Sequence, residues 1–306
     1  MKDVVMILGG YGFLGTHIAR RFQQSGYKVI SYGRGNTNST DLYDYKYYGD
    51  ITLDGLKKIH EIPNIIINCA GTSSVSLAEG NCLSAYKQTV ESNHVVLEYV
   101  RGIKGRDVKY IYISSAAVYG DTGKYKVTED AQLKPQSIYG IHKLISEQLC
   151  EYYSYKYSLN INIVRPFSIN GVGLKKQLLW DACNKIGNHV NEFWGTGEET
   201  RDWVDVRDVA ELIFKLTFYN KERFSIFNAC SGIEISNREF LEFCFSKFFI
   251  SKEKVTFNGI MDDNNPKHLV GDNNKAKTLL LWMPRYSWKE IIANYITWYK
   301  DRTEIN

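Results

Sequence analysis

The chain has 306 residues, of which 44% are hydrophobic and 24% charged, the composition of a folded enzyme and not of a disordered tail or a coiled rod. Its formal charge of +4 comes from 38 basic and 34 acidic residues scattered along the whole length, without the concentrated basic stripe of a nucleic-acid binder. No nucleic-acid partner is expected, and the length suits a large nucleotide-binding domain with a smaller lobe beside it.

Cys69, Cys82, Cys150, Cys183, Cys230 and Cys244 lie far apart with no CxxC pair, so they read as reduced, mostly packed thiols. The histidines form neither HxH nor HExxH, and no catalytic metal is expected. The opening MKDVVMILGG starts a buried strand with no apolar leader, and no segment has the run of about eighteen apolar residues that a membrane span requires. The expectation is a cytoplasmic protein without a membrane partner.

In chain order, the apolar run Val4 to Leu8 predicts a strand, followed at once by Gly9, Gly12 and Gly15 and a helix over Thr16 to Ser25. Strand, glycine turn and helix open a doubly wound α/β unit. Such a turn lets the backbone approach a pyrophosphate and aims the first helix amides at its charge, which makes Gly9, Gly12, Phe13, Leu14 and Gly15 candidate cofactor-binding residues. The second strand, Lys28 to Tyr32, runs into Gly33-Arg34-Gly35-Asn36, without the carboxylate that takes the adenosine ribose in an NAD site. Arg34 suits a 2′-phosphate instead; this favours NADP(H), with NAD(H) as the alternative. Asp50 is either an acceptor for the adenine amino group or a turn or helix-start aspartate.

The alternation continues with a helix over Leu53 to His60, a strand over Asn64 to Asn68, a long helix over Ala85 to Arg101 and a strand over Val108 to Ser114. The apolar strands suit a parallel sheet covered on both faces. Ile138 to Tyr157 places Ile141, Leu144, Ile145, Leu149, Tyr152 and Tyr153 at helical spacing, and a strand over Asn162 to Val164 ends at Pro166. From Ile169 the pattern changes to glycine-rich loops, a helix near Leu178 to Ile186 and a short strand around Val190 to Trp194. Val206 to Phe218 reads as a helix, and Phe224 to Asn228 as a strand able to rejoin the main sheet. Asn237 to Phe249 and Trp288 to Tyr299 read as helices outside it. The expected fold is a Rossmann-like, doubly wound, mostly parallel α/β sheet with a smaller, discontinuous substrate-binding lobe. Residues 1–168 with 204–230 would form the dinucleotide-binding domain, and 169–203 with 231–306 the lobe.

Tyr139 and Lys143 lie four apart and share a helix face. A phenol with a pKa near ~10 is a poor base at neutral pH, and an ammonium beside it favours the phenolate. Ser115, just past a strand end, can enter the same cleft and hydrogen-bond a reacting oxygen. These three suit proton movement beside a nicotinamide that moves a hydride. His142 is turned off that face and reads as a surface or interface residue.

With these motifs in order, the chain resembles the extended short-chain dehydrogenases/reductases, in particular the nucleotide-sugar epimerase, dehydratase and ketoreductase group. The resemblance runs through GGYGFLG from Gly9, Gly49-Asp50-Ile51, Asn68-Cys69-Ala70-Gly71, SSAAVYG from Ser114, YGIHK from Tyr139, RPFSINGVG from Arg165, RDWVDVRDVA from Arg201 and Leu281-Trp282-Met283-Pro284. It implies Asp50 and Ile51 at adenine, Ala70 and Gly71 along the cofactor ribose and phosphates, and Ser115 at the sugar C4 oxygen. It implies Tyr139 as general acid/base, and Lys143 at the nicotinamide ribose and tuning the tyrosine. Arg201 matches the arginine that holds the sugar-nucleotide diphosphate; an ion pair with Asp202 or Asp205 is the alternative. Asn170, Trp194 and Lys267 fall in segments that line the family's substrate cleft. A homodimer paired through the helices 85–101 and 138–157, and a place in polysaccharide biosynthesis, are also implied.

The departures are Leu8, Thr89 and Ser168, where family members often carry Thr, Asn and Asn. The segment from Ser115 to Tyr119 lacks the Asp-Glu pair of the 4,6-dehydratases, which argues against elimination of water. The first expectation is therefore an NADP(H)-dependent 4-ketoreductase of a nucleotide-linked (deoxy)sugar. The second is an NAD-dependent 4-epimerase with tightly bound cofactor. The third, a non-catalytic dinucleotide sensor or scaffold, is disfavoured by the intact Ser115, Tyr139 and Lys143.

Overall fold

Strand β1 (Val4–Leu8) is buried at every position, as a strand covered on both faces must be. The computed structural model describes residues 3–35, 40–248, 254–262 and 264–303. After the glycine turn, α1 (Phe13–Gln24) starts at Phe13 and not at Thr16, because extended Gly12 takes the N-cap position. Then come β2 (Lys28–Gly33), β3 (Tyr45–Tyr48), the short α2 (Leu53–Lys57) capped by the Thr52 side chain, and β4 (Ile65–Asn68). The expected helix over 85–101 is longer and subdivided. Two short helices, α3 (Val75–Gly80) and α4 (Cys82–Tyr86), lead into a π-helical turn, Lys87–Glu91, and then α5 (Ser92–Gly102). Strand β5 (Lys109–Ile113) and helix α6 (Ile138–Tyr157) follow as the sequence predicts, and β6 (Asn160–Pro166) extends the expected strand at both ends.

The remaining chain forms β7 (Ser168–Asn170), α7 (Gln177–Gly187), β8 (Glu192–Phe193), β9 (Thr200–Arg201), β10 (Trp203–Asp205), α8 (Val206–Leu216), β11 (Phe224–Ala229), β12 (Ile235–Ser236) and α9 (Asn237–Lys247). Strands β13 (Thr256–Phe257) and β14 (His268–Leu269) and helices α10 (Asn274–Leu280) and α11 (Trp288–Thr303) complete it. Phe249, the expected end of α9, and Asn36 lie outside the described residues.

The main sheet has seven strands in the order β11-β6-β5-β4-β1-β2-β3, with every neighbouring pair parallel. From β1 the chain builds outward through β2 and β3, then returns to the other side of β1 with β4. That reversal is a topological switch point, where the carboxyl ends of parallel strands leave a crevice for a ligand. On one face Val5, Ile7, Ile67 and Ile111 pack under Ile18 and Phe22 of α1 and Val209 and Ile213 of α8. On the other Met6, Ile66, Tyr110 and Tyr112 pack under Val96 and Leu97 of α5 and Tyr153 of α6. A separate core collects Leu179, Cys183, Trp203, Phe240, Cys244 and Tyr295.

His142 is 5% exposed, with its ring edge-on to Tyr86 at 5.6 Å between centroids, so the expected surface position is corrected. The cause is the pair of short helices α3 and α4, which cover a face of α6. Of the six cysteines, four are buried, Cys69 is half-buried and Cys82 is exposed. Among the described residues, no helix is long and apolar enough to cross a membrane, and no group of His, Cys, Asp or Glu is arranged to hold a metal ion.

Candidate active site

The glycine turn lies at the carboxyl end of β1, against the end of β4. Gly9 has φ +75°, and a Cβ there would lie 3.0 Å from the Ala70 nitrogen; a Cβ on Gly15 would run into the Gly9 carbonyl oxygen and sit 2.7 Å from the Gly10 Cα. Side chains would fill this concave backbone, which is the shape that admits a pyrophosphate at a helix start. A cavity of about 1290 Å³ extends from the turn to β9, larger than the roughly 300–1,000 Å³ of a single small-molecule pocket. It has room for a dinucleotide with a second ligand beside it.

The cavity gathers most of the residues that the sequence singles out. Gly9, Gly12, Phe13, Leu14 and Gly15 line one end, with Arg34, Asp50 and Ile51 beside them. Ala70, Gly71, Ser115, Tyr139 and Lys143 line the middle, and Arg201 the far wall. Three expected residues do not line it. Asn170 is completely buried, its amide without a partner among the described residues. Trp194 is 60% exposed, and Lys267 is an exposed residue whose backbone N–H donates to Asp121 at 2.7 Å. Ser73, Lys176, Gln177 and Trp203 line the cavity without having been singled out. For Lys176, the only available signal was a Lys-Lys pair in the glycine-rich loop after β7.

Ser115 caps a short turn over Ala116–Val118, accepting from the Ala117 N–H at 3.1 Å. Burial pushes the Tyr139 phenol up, and the nearby Ser115 hydroxyl opposes this. Lys143 donates from Nζ to the Ile113 carbonyl at 2.8 Å and lies 5.9 Å from the centre of the Tyr139 ring. Burial lowers Lys143 to about 8, opposed by Cys69 and Glu147. The expected lowering of the tyrosine by the lysine is thus outweighed in the chain by itself: desolvation dominates Tyr139, and the ammonium is turned onto a carbonyl.

A buried clamp lies behind these groups. Arg165 of β6 donates to both Glu147 carboxylate oxygens, at 3.0 and 2.6 Å, and from Nη1 to the Tyr119 hydroxyl at 2.9 Å and the Glu129 carbonyl at 3.0 Å. Glu147 stands on α6 with Tyr139 and Lys143, whereas Tyr119 follows the Ser115 turn. The clamp therefore ties together the segment that carries Ser115 and the helix that carries Tyr139 and Lys143. The π-helical turn has a related effect at the end of β4, where Thr89 Oγ1 accepts the Thr72 N–H at 3.2 Å, a backbone support given by a hydroxyl at this position.

At the end of β2, Arg34 lies 3.6 Å from the Asp50 carboxylate and donates to Gln88 at 2.8 Å. Its charge already has an acidic neighbour, one that would repel an added phosphate. Arg201 donates to its own neighbour's carbonyl, Thr200, at 2.8 Å. The nearby acids are engaged elsewhere: Asp202 accepts from the Ser231 and Gly232 backbone at 2.6 and 2.8 Å, and Asp205 pairs with Arg207 at 2.7 Å. Neither of the alternative ion pairs to Arg201 forms, and Arg201 lines the cavity.

A glycine turn at the switch point of a parallel sheet, opening onto a serine, a tyrosine and a lysine, defines an enzyme of the extended short-chain dehydrogenase/reductase type. The chain belongs to the NAD dependent epimerase/dehydratase family, whose family model matches residues 5–230. It is 26% identical to a GDP-mannose 3,5-epimerase of Arabidopsis thaliana, over 98% of this chain and 83% of that protein. It is also 26% identical to a UDP-glucose 4-epimerase of Lactobacillus helveticus, over 97% of each. Its fold matches that of UDP-glucuronic acid 4-epimerase from Bacillus cereus, solved with UDP-glucuronic acid and NAD, with a TM-score of 0.87 and 22% identity over 97% of this chain and 99% of that one.

Proposed function

We propose that the chain is an NAD-dependent nucleotide-sugar 4-epimerase. The observation that carries this reading is the Arg34–Asp50 pair, which compromises the one residue that favoured NADP(H). The proteins it resembles include sugar-nucleotide 4-epimerases, one of them solved with NAD. The preference for a ketoreductase gives way accordingly.

In this reading, Gly9, Gly12, Phe13, Leu14 and Gly15 hold the pyrophosphate of the dinucleotide, Asp50 and Ile51 its adenine, and Ala70, Gly71 and Lys143 its ribose and phosphate side. Bound there, the nicotinamide supplies a hydride acceptor and donor with a positive charge in its oxidised form. Ser115 donates a hydrogen bond to the sugar C4 oxygen. Tyr139 takes the C4 hydroxyl proton and later returns it to the same oxygen, and the Lys143 ammonium favours the phenolate that this requires. Arg201 clamps the diphosphate. We further propose that residues 169–203 and 231–306 act as the substrate lobe over a dinucleotide domain of 1–168 with 204–230. The exposed Ile141 and Tyr152 of α6 belong in this reading to a homodimer contact.

The purified protein, incubated with glucose and galactose esters of uridine, thymidine and guanosine diphosphate, should interconvert C4 epimers without net NADPH oxidation. It should also retain NAD after purification. The second reading, a 4-ketoreductase, keeps its support in the missing carboxylate at the end of β2. Stoichiometric NADPH oxidation by a 4-keto sugar, with deuterium passing from labelled NADPH to C4, would establish it and overturn the epimerase.

A further inference from the structure

Arg201 is one cation of the cavity; Lys176, just before α7, is another. The Lys176 ammonium donates to the Ser73 carbonyl at 3.0 Å. Ser73 follows the corner Gly71-Thr72, and a Cβ built on Gly71 would lie 3.7 Å from Lys143 Nζ. Through Ser73, then, Lys176 is placed close to the reacting end of the cavity, where the sugar belongs, and Arg201 lies on another wall, against β14.

Lys176 is half-buried, and burial lowers its pKa with no carboxylate opposing it. Among the described residues no acidic side chain forms an ion pair with it, whereas Lys185 on α7 has Asp181 at 3.2 Å. Partly desolvating an ammonium without a counter-charge is unfavourable. The adjacent Gln177, also on the cavity wall, holds φ at +67°, a region that non-glycine residues seldom adopt and that collects at ligand sites. A partly desolvated ammonium without a counter-charge on a cavity wall is what a ligand with a negative group would relieve.

We propose that Lys176 pairs with an anionic substituent on the sugar ring itself, so that the substrate is a nucleotide-linked sugar acid whose carboxylate lies on the Ser73–Lys176 side of the cavity. This rests on the reading of the site as one for a sugar nucleotide. Arg201 holds the diphosphate that every such substrate shares, and Lys176 distinguishes an acidic sugar from a neutral one. If Lys176 instead helped to hold the diphosphate, acidic and neutral sugars would bind alike.

The test is calorimetry of the NAD-loaded protein with the glucose and glucuronate esters of uridine, thymidine and guanosine diphosphate, compared as pairs within each base. With the base that binds, glucuronate should bind about tenfold or more tightly than glucose, the effect of one charge-assisted hydrogen bond. Lys176→Met should bring the two affinities to within about twofold, while Lys176→Arg keeps the preference. Equal affinities in the wild type, or a preference unchanged in Lys176→Met, overturns the proposal. Binding of none of the six overturns both it and the sugar-nucleotide reading. Epimer formation at C4 is read separately by NMR. A charge preference without epimerisation defeats the 4-epimerase alone, and epimerisation without a charge preference defeats the role of Lys176 alone.

Discussion

Replacing Glu147 with Ala should be among the most damaging single changes outside the cavity. The Glu147 and Arg165 side chains are 5% and 2% exposed, so water cannot replace the lost carboxylate. Arg165 would keep its Nη1 bonds to Tyr119 and Glu129, but its Nε and Nη2 donors would lose both oxygens of Glu147. Stranding a buried charge in this way costs about 3–5 kcal/mol. At roughly 1.6 °C per kcal/mol for a chain of this size, Tm should fall by about 5–8 °C. Urea and thermal unfolding followed by circular dichroism measure the loss. The double replacement Glu147→Leu with Arg165→Met, which removes both charges, should recover part of it. A single variant within about 1 kcal/mol of wild type, or a double variant no more stable than the single, would refute the reasoning.

Tyr139→Phe should lower turnover at least about a hundredfold with dinucleotide affinity nearly unchanged; retention of wild-type kcat removes the tyrosine from the chemistry. Gly15→Ala pushes a methyl group into the turn, 2.7 Å from the Gly10 Cα, and should weaken dinucleotide binding about tenfold or more. An unaffected Kd by calorimetry would show that the turn does not touch the pyrophosphate. Arg201→Ala should weaken the sugar nucleotide by about tenfold or more while sparing the dinucleotide, and equal losses would make Arg201 a fold residue. Lys143 is held at about 8 in the fold against 10.5 for the free side chain. Between these values the unfolded chain binds more protons than the folded one, so the Lys143 contribution to stability rises with pH through that window. Unfolding free energies of wild type and Lys143→Met should therefore diverge in favour of the wild type from pH 8 upward, and parallel curves would count against the depressed lysine.

Much of the fold was legible because burial on both faces leaves a plain mark in sequence. Strand β1 is an unbroken apolar run, β4 and β5 carry apolar cores of three and four residues, and α6 repeats its apolar residues every three or four positions. Strand β3 left no such mark, since it closes an edge of the sheet and exposes Tyr45 and Tyr48. Helix α3 and most of α4 precede Ala85, where the sequence pattern begins a helix, in a stretch to which it assigns no element; their Ser74 and Asn81 caps were the available signal. The glycine turn, Ser115, Tyr139, Lys143 and Arg201 reach one cavity as anticipated. Trp194, Lys267 and Asn170 do not, because where they face depends on strands of two or three residues and the loops between them, which periodicity does not describe. Arg34 also lines the cavity, but beside a partner that the sequence does not reveal. Its nearest charge, Asp50, comes from beyond the next strand, and the sequence shows both residues without showing that they meet.

Strand β11, at the outer edge of the sheet, has a consequence for how the protein is made. The first six strands are complete once Pro166 has been synthesised, but β6 receives its outer neighbour only with Phe224–Ala229, roughly sixty residues later. At about 5–20 residues per second, the backbone groups along β6 wait several seconds for a partner on the ribosome. An open strand edge is a template for pairing with another nascent chain. Along β6, Asn160 and Asn162 alternate with Ile161 and Ile163, and the Asn162 amide, fully buried in the finished protein, has no partner among the described residues. The buried Asn162 weakens the finished sheet, yet during those seconds it and Asn160 interrupt the apolar run that would make the waiting edge adhesive. Replacing Asn162 with Val would on this account stabilise the purified protein and lower its soluble yield.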